Sequence, residues 1–169
     1  LTVNDTQLPA ADCQVTVDEG EGVINSICFA VDISGSMSGS PLTDAQEALH
    51  TFLDETDDYT ELALTVFDDS AETRVPLSSS ISALTGGIDA LYADGGTDIT
   101  AGILEGTAAL QQARGGKTLL LMTDGQSSID MLAVENAAAE GIVIFTIGFG
   151  DVNDELLRQI AEATGGQYV

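Results

Sequence analysis

The sequence predicts an α/β fold: a doubly wound, mostly parallel central sheet with one antiparallel edge strand and helices on both faces. Three features predict it. Four short, continuous apolar runs, at residues 27–31, 62–67, 119–122 and 142–147, have the character of strands buried on both faces. Amphipathic segments with helical spacing separate them, and strand–helix alternation implies right-handed crossovers between parallel strands. A further extended segment, 72–77, follows the second run after only Asp68-Asp69-Ser70-Ala71. That is too short for a crossover, so the segment is predicted to return antiparallel at the sheet edge.

Taken in order, residues 1–23 read as an N-terminal extension or hairpin ahead of a domain at 24–169. Cys13 and Cys28 flank the acidic stretch Asp18-Glu19-Gly20-Glu21-Gly22. A hairpin turn centred between Gly20 and Glu21 would set the cysteines opposite each other, and a disulfide there would contribute roughly 3 kcal/mol. Two buried thiols are the alternative. Pairing of this segment with the first strand also conflicts with that strand's expected central place, unless it is confined to the strand's N-terminal extension. The first helix is predicted to follow Ser40 as N-cap, with Pro41 at its first position. Leu42, Ala45, Ala48, Leu49, Phe52 and Leu53 form its apolar stripe. Further helices are expected over 81–91, 99–113, 128–140 and 154–163. Gly86 and Gly87 predict a break in the second, since a mid-helix glycine costs up to about 1 kcal/mol. The chain begins with Leu1 and no basic, apolar leader, which suggests a piece of a longer protein.

Charge narrows the function. Twenty-eight acidic residues against four basic ones (Arg74, Arg114, Lys117, Arg158) give a net charge of −24. Such a surface repels phosphate, so nucleic acid and anionic lipid are rejected as partners. No run of about eighteen apolar residues exists, so no membrane insertion is expected. The acid is spread along the chain rather than gathered into a tail, as in a surface adapted to high salt or an extracellular protein in a cation-rich setting.

In doubly wound sheets, ligands bind beyond the carboxyl ends of the strands, where successive connections leave in opposite directions. The unusual polar residues fall there. The first strand ends in Asp32-Ile33-Ser34-Gly35-Ser36-Met37-Ser38-Gly39, the strand at 119–122 ends in Thr123-Asp124-Gly125, and Gly95-Gly96-Thr97-Asp98 stands just before the third helix. These three pieces, in this order, resemble the metal-ion-dependent adhesion site of von Willebrand factor A domains, a likeness that covers roughly residues 24–168. The resemblance implies that Ser34 and Ser36 bind one divalent cation directly. It further implies that Thr97 binds directly or through water, and that Asp32 and Asp124 act mostly through water. Oxygen-only ligands select a hard cation, Mg²⁺ first, with Mn²⁺ and Ca²⁺ as alternatives. A dication poorly neutralised by its nearest ligands stays electrophilic, so an Asp or Glu carboxylate of a protein partner can complete its coordination. Integrin-type relatives carry further acids after the serines; Ser38 and Gly39 stand here, so no second ion is predicted.

Gly35, Gly95 and Gly96 are expected to let backbone turn close to the ion. Asp98 is read mainly as favouring the positive end of the third helix. Ser70, Asp94, Asp98, Gln126 and Asp151 are candidate rim positions by strand-end location. His50 is expected to be solvated, Met37 to pack under the first loop and Met122 to lie in the core. Asp68-Asp69 reads as a turn and Asp57-Asp58 as a solvated loop. His50 is the single histidine, which leaves the serines without a base for nucleophilic catalysis, so no enzyme is predicted. The expectation is a metal-dependent adhesion or protein-binding module of a secreted or surface protein. The alternative is an intracellular subunit partnering an AAA+ ATPase or a chelatase-type complex. In some relatives ligand capture moves the last helix, which here would be 154–163.

Overall fold

A computed structural model describes residues 25–56 and 59–169. The elements run β1 (Asn25–Asp32), a 3-10 turn (Gly35–Met37), α1 (Ser40–Glu55), β2 (Thr60–Phe67), β3 (Ala71–Ser78), α2 (Ile81–Asp89) and α3 (Ile99–Ala109), then β4 (Gly116–Thr123), α4 (Met131–Ala139), β5 (Ile142–Gly148) and α5 (Asp154–Ala163). The strand order is β3-β2-β1-β4-β5. β1 pairs in parallel with β2 and β4, β4 pairs in parallel with β5, and β3 closes one edge antiparallel to β2. The doubly wound sheet and its antiparallel edge strand are as the spacing of apolar runs predicts.

Alternation along the buried strands sorts side chains into two cores, because successive residues point to opposite faces. Cys28 and Ala30 of β1 join Ala63, Phe67, Leu119, Leu121 and Ile144 under α3, α4 and α5. Phe29 and Val31 join Leu62, Leu64, Val66 and Met122 under α1 and α2. The second core includes a T-shaped contact between Phe29 and Phe52, with centroids 5.3 Å apart.

Several boundaries differ from expectation. Gly39, not Ser40, is the N-cap of α1: it takes a φ of 86°, and Ser40 is already the first helical residue, ahead of Pro41. Ala48 of the predicted stripe is exposed. α2 does not break at Gly86-Gly87 but runs through both. A Cβ on Gly87 would stand 2.9 Å from Leu64 and 3.0 Å from Val75, so the missing side chain lets the helix seat on the sheet. α3 stops at Ala109, four residues early, and Leu110, Gln111 and Ala113 bond back three residues in a tightened last turn. α4 starts at Met131, because Ser127 and Asp130 are held by the loop before α3 and by α3 itself.

Residues 1–23, with Cys13 and the expected hairpin, and the Asp57-Asp58 loop lie outside the described residues. Cys28 is buried and pairs with Ala63 on one side and Leu119 on the other, so both edges of β1 are taken at that position. Its sulfur sits 3.4 Å from the Thr65 hydroxyl, and burial pushes the thiol pKa up to about 12.

Candidate metal centre

The connection leaving β1 leads through α1 to β2 on one side, while β3 leads through α2 and α3 to β4 on the other. The carboxyl ends of β1 and β4 are therefore the switch point of the sheet, with a crevice between diverging connections. Asp32 ends β1 and Asp124 follows β4 there, 0 % and 3 % exposed.

Asp32 is fixed through both carboxylate oxygens, and Asp124 through one. Asp32 Oδ1 accepts from the Ser34 backbone N–H at 2.8 Å. Asp32 Oδ2 accepts from the Thr123 hydroxyl at 2.5 Å, while that hydroxyl oxygen accepts the Gly125 N–H at 3.1 Å. Burial holds the Asp32 pKa above the ordinary carboxylate range; bonds from Ser34 and Thr123 oppose that rise, and the neighbouring Asp124 charge adds to it. Asp124 Oδ1 accepts the Gln126 N–H at 2.9 Å. The ion pairs among the described residues are His50–Asp89 and Arg74–Glu72. Among the described residues, neither Asp32 nor Asp124 thus forms an ion pair with a cationic side chain.

The hydroxyls come from the loop after β1. Ser34 Oγ lies 3.1 Å from Ser36 Oγ, with Ser34 buried and Ser36 exposed. That loop is tied to the loop before α3: the Gly35 N–H donates to the Gly95 carbonyl at 3.0 Å, and the Asp94 N–H to the Ile33 carbonyl at 2.8 Å. Gly95 needs its freedom, having a φ of 81°. Gly96 needs its missing side chain, since a Cβ would stand 2.2 Å from Asp69 Oδ1. Thr97 follows, half-buried, and its carbonyl accepts from the Ser127 hydroxyl at 2.8 Å. Ser127 belongs to the segment after β4, so all three sequence pieces are knit together by hydrogen bonds.

Among the described residues no three His, Cys, Asp or Glu side chains converge as a metal cluster. The candidate donors are instead two carboxylates and three hydroxyls, all oxygen. Such a set fits a hard dication and offers no soft ligand to a thiophilic one.

Comparison with known proteins fits this architecture. The model of the von Willebrand factor type A domain matches residues 26–169. The chain belongs to that family. It is 29% identical over 154 residues to a Synechocystis protein, and 29% identical over 155 residues to bovine calcium-activated chloride channel regulator 1. Each match takes in 83% of this chain but only 36% and 16% of those proteins. The chain therefore spans about a third or less of the length of these two relatives. Among solved structures, an aerotolerance-related membrane protein from Bacteroides fragilis superposes with a TM-score of 0.76 at 20% identity, covering 88% of this chain and 90% of that one. At that identity the likeness speaks for the fold.

In this von Willebrand factor type A domain the rim positions divide. Asp98 caps α3, accepting the Ala101 N–H at 2.9 Å, the helix role read from the sequence. Ser70 is engaged in the β2–β3 turn, donating from both N–H and hydroxyl to Asp68 Oδ1. Asp94 accepts the neighbouring Gly95 N–H, and the Gln126 amide donates to the Asp151 carbonyl. Asp94, Gln126 and Asp151 are exposed.

Sequence reasoning missed three contributors. Thr123 orients Asp32, Ser127 holds Thr97, and Asp69, read only as turn, accepts the Gly96 N–H at 2.9 Å and so sets the glycine loop. Thr123 has a sequence signal, as the hydroxyl residue next to the strand-end Asp124. The other two have none. Met37 and Met122 are buried in the core as expected. His50 is not simply solvated: it lies 2.9 Å from Asp89 across the α1–α2 contact.

Proposed function

We propose that this domain is a divalent-cation-dependent protein-binding module. Ser34, Ser36, Thr97, Asp32 and Asp124 would hold one ion, Mg²⁺ first among the candidates, and a partner's Asp or Glu carboxylate would complete its coordination. The observation that carries the reading is the pair Asp32 and Asp124, buried carboxylates at the switch point that, among the described residues, form no ion pair with a cationic side chain. Burying charge without a counter-charge is costly, and a dication supplies one. The bound ion would supply Lewis acidity toward an anionic ligand. Asp32, held by Ser34 and Thr123, keeps the serine loop in register with β4; Asp69 and Ser127 hold the Thr97 loop against it.

On this reading the site binds rather than cuts: its carboxylates, Asp32 and Asp124, are engaged by backbone N–H groups and the Thr123 hydroxyl that brace the loops. His50, the single histidine, is committed to Asp89 between α1 and α2. We further propose an extracellular or cell-surface setting within a longer protein. Among the described residues no helix is long and apolar enough to cross a membrane.

Calorimetric titration of EDTA-stripped protein with Mg²⁺, Mn²⁺ and Ca²⁺ at two salt concentrations tests the site. One saturable event, lost in Ser34→Ala, is expected. Diffuse, salt-sensitive heat unchanged by that substitution would refute the reading and leave only an acidic surface collecting cations.

A further inference from the structure

The sheet ends differently at its two edges. Beyond β5 the chain's own last residues lie alongside: the Thr146 N–H donates to the Gln167 carbonyl at 3.1 Å, and the Val169 N–H to the Thr146 carbonyl at 2.9 Å. Beyond β3, among the described residues, no strand pairs. In the β2–β3 turn the Asp68 N–H donates to the Ser70 carbonyl at 2.8 Å. Opposed residues of an antiparallel ladder alternate between bonded and unbonded pairs, so the next bonded pair is Val66–Glu72, while Phe67–Ala71 and Thr65–Thr73 are unbonded. The backbone N–H and C=O of Ala71 and Thr73 therefore turn outward, to the open edge.

Charge on that edge is self-complementary. Glu72 and Arg74 are both exposed on one side of β3 and pair with each other, Nε to Oε1 at 3.1 Å. That contact leaves the guanidinium's other N–H groups to a second acid. A second copy laid antiparallel, with Thr73 on a two-fold axis, sets Thr73 against Thr73 as a bonded pair and Glu72 of each copy against Arg74 of the other. Each guanidinium then stands between two carboxylates, which offsets part of the repulsion between chains of net charge −24. A parallel, in-register pairing would instead set Glu72 on Glu72. The register shift between Thr73 and Val75, and Pro76 with no N–H to give, hold the ladder to a few residues. With the β5 edge covered, pairing closes at two copies.

We propose that two copies of this chain pair through β3 in this way, doubling the five-stranded sheet. β3 runs antiparallel to β2 and β1 parallel to it, so the carboxyl ends of β1 in the two copies face opposite directions. Such a dimer presents its two candidate metal centres at opposite ends, the geometry of a bridge between two partners. So short an edge contact lies at the low end of specific interfaces, and association is expected at high micromolar concentration.

Sedimentation velocity on the whole chain in EDTA tests the pairing without involving the metal. In 0.5 M NaCl, charges beyond roughly 4 Å are largely screened, which leaves the contact pairs. The expected result is a monomer–dimer equilibrium between about 0.02 and 1 mM protein. Arg74→Glu and Glu72→Arg should each weaken it about tenfold or more, since each sets like charges opposite twice. An equimolar mixture of the two variants should restore it, as should both substitutions in one chain, because an acid again faces every base. General repulsion predicts the opposite sign for Glu72→Arg, which lowers the net charge. A protein monomeric throughout the range would overturn the proposal. So would a dimer that Glu72→Arg strengthens or leaves unchanged, or a double variant and a mixture as weak as the single variants.

Discussion

Two helical glycines offer a test in which the structure, not composition, sets the sign. Gly86 lies within α2 and Gly102 within α3. Replacing either by alanine recovers the same helix propensity, about 1 kcal/mol. At Gly86 a Cβ would meet nothing within 4 Å, so the gain stands alone. At Gly102 a Cβ would stand 2.5, 2.7 and 2.9 Å from three ring atoms of Phe67, a side chain 1 % exposed at the end of β2. Carbon contacts prefer roughly 3.5–4 Å, so ring and helix must part by about 1 Å. A buried ring in a close-packed core can only shift with its neighbours Ile99 and Ile103, and overpacking of this kind costs about 1–3 kcal/mol.

Because the propensity gain is common to both, the difference between Gly86→Ala and Gly102→Ala reports the packing penalty directly. Urea unfolding should place Gly86→Ala about 1 kcal/mol above the parent, and Gly102→Ala about 1–3 kcal/mol below Gly86→Ala. Phe67→Leu should shrink the difference, since a smaller side chain relieves the contact. Equal shifts of the two variants would refute the reasoning, because the close approach of α3 to β2 would then exert no constraint.

Two further outcomes follow from charge. The buried Asp32 has a raised pKa, so the folded state holds its proton more tightly than the unfolded chain does. Its contribution is thus fully present below the unfolded pKa and lost as pH rises through the folded one. In EDTA, Asp32→Asn should therefore gain on the parent in urea midpoint as pH rises from acid to neutral, and a difference independent of pH would contradict this. With a net charge of −24, repulsion between exposed carboxylates should weaken the fold at low ionic strength. The urea midpoint should accordingly climb between 0.1 and 2 M NaCl, by more than for a near-neutral protein of similar size; a flat response would mean the acids are too dispersed to interact.

Much of this domain was legible from local signals. Largely apolar runs mark β1, β2, β4 and β5 because a strand buried on both faces admits a polar residue only where it finds a partner, as Thr65 and Thr146 do. The bounds of α5, 154–163, were read to the residue, and the structure adds Asn153 as its cap, a local signal as well. The candidate ligands were readable too, being hydroxyls and acids clustered at strand ends, where backbone turns and side chains escape the core.

What only the tertiary structure decided are the contacts between distant parts of the chain. Asp32 meets Thr123 across 91 residues of sequence, Ser127 reaches Thr97 across 30, and Asp69 fixes Gly96 across 27. No period or propensity encodes such pairs, which exist only once β1 and β4 lie side by side. Helix boundaries follow the same logic. Gly86-Gly87 predicts a break by propensity, yet α2 continues because burial against Leu64 and Val75 outweighs about 1 kcal/mol per glycine. α4 begins late because its first residues are engaged by α3 and the loop before it. Sequence by itself determined which residues could form the elements and the site; packing decided how they are held, because that energy comes from neighbours that only the folded chain brings together.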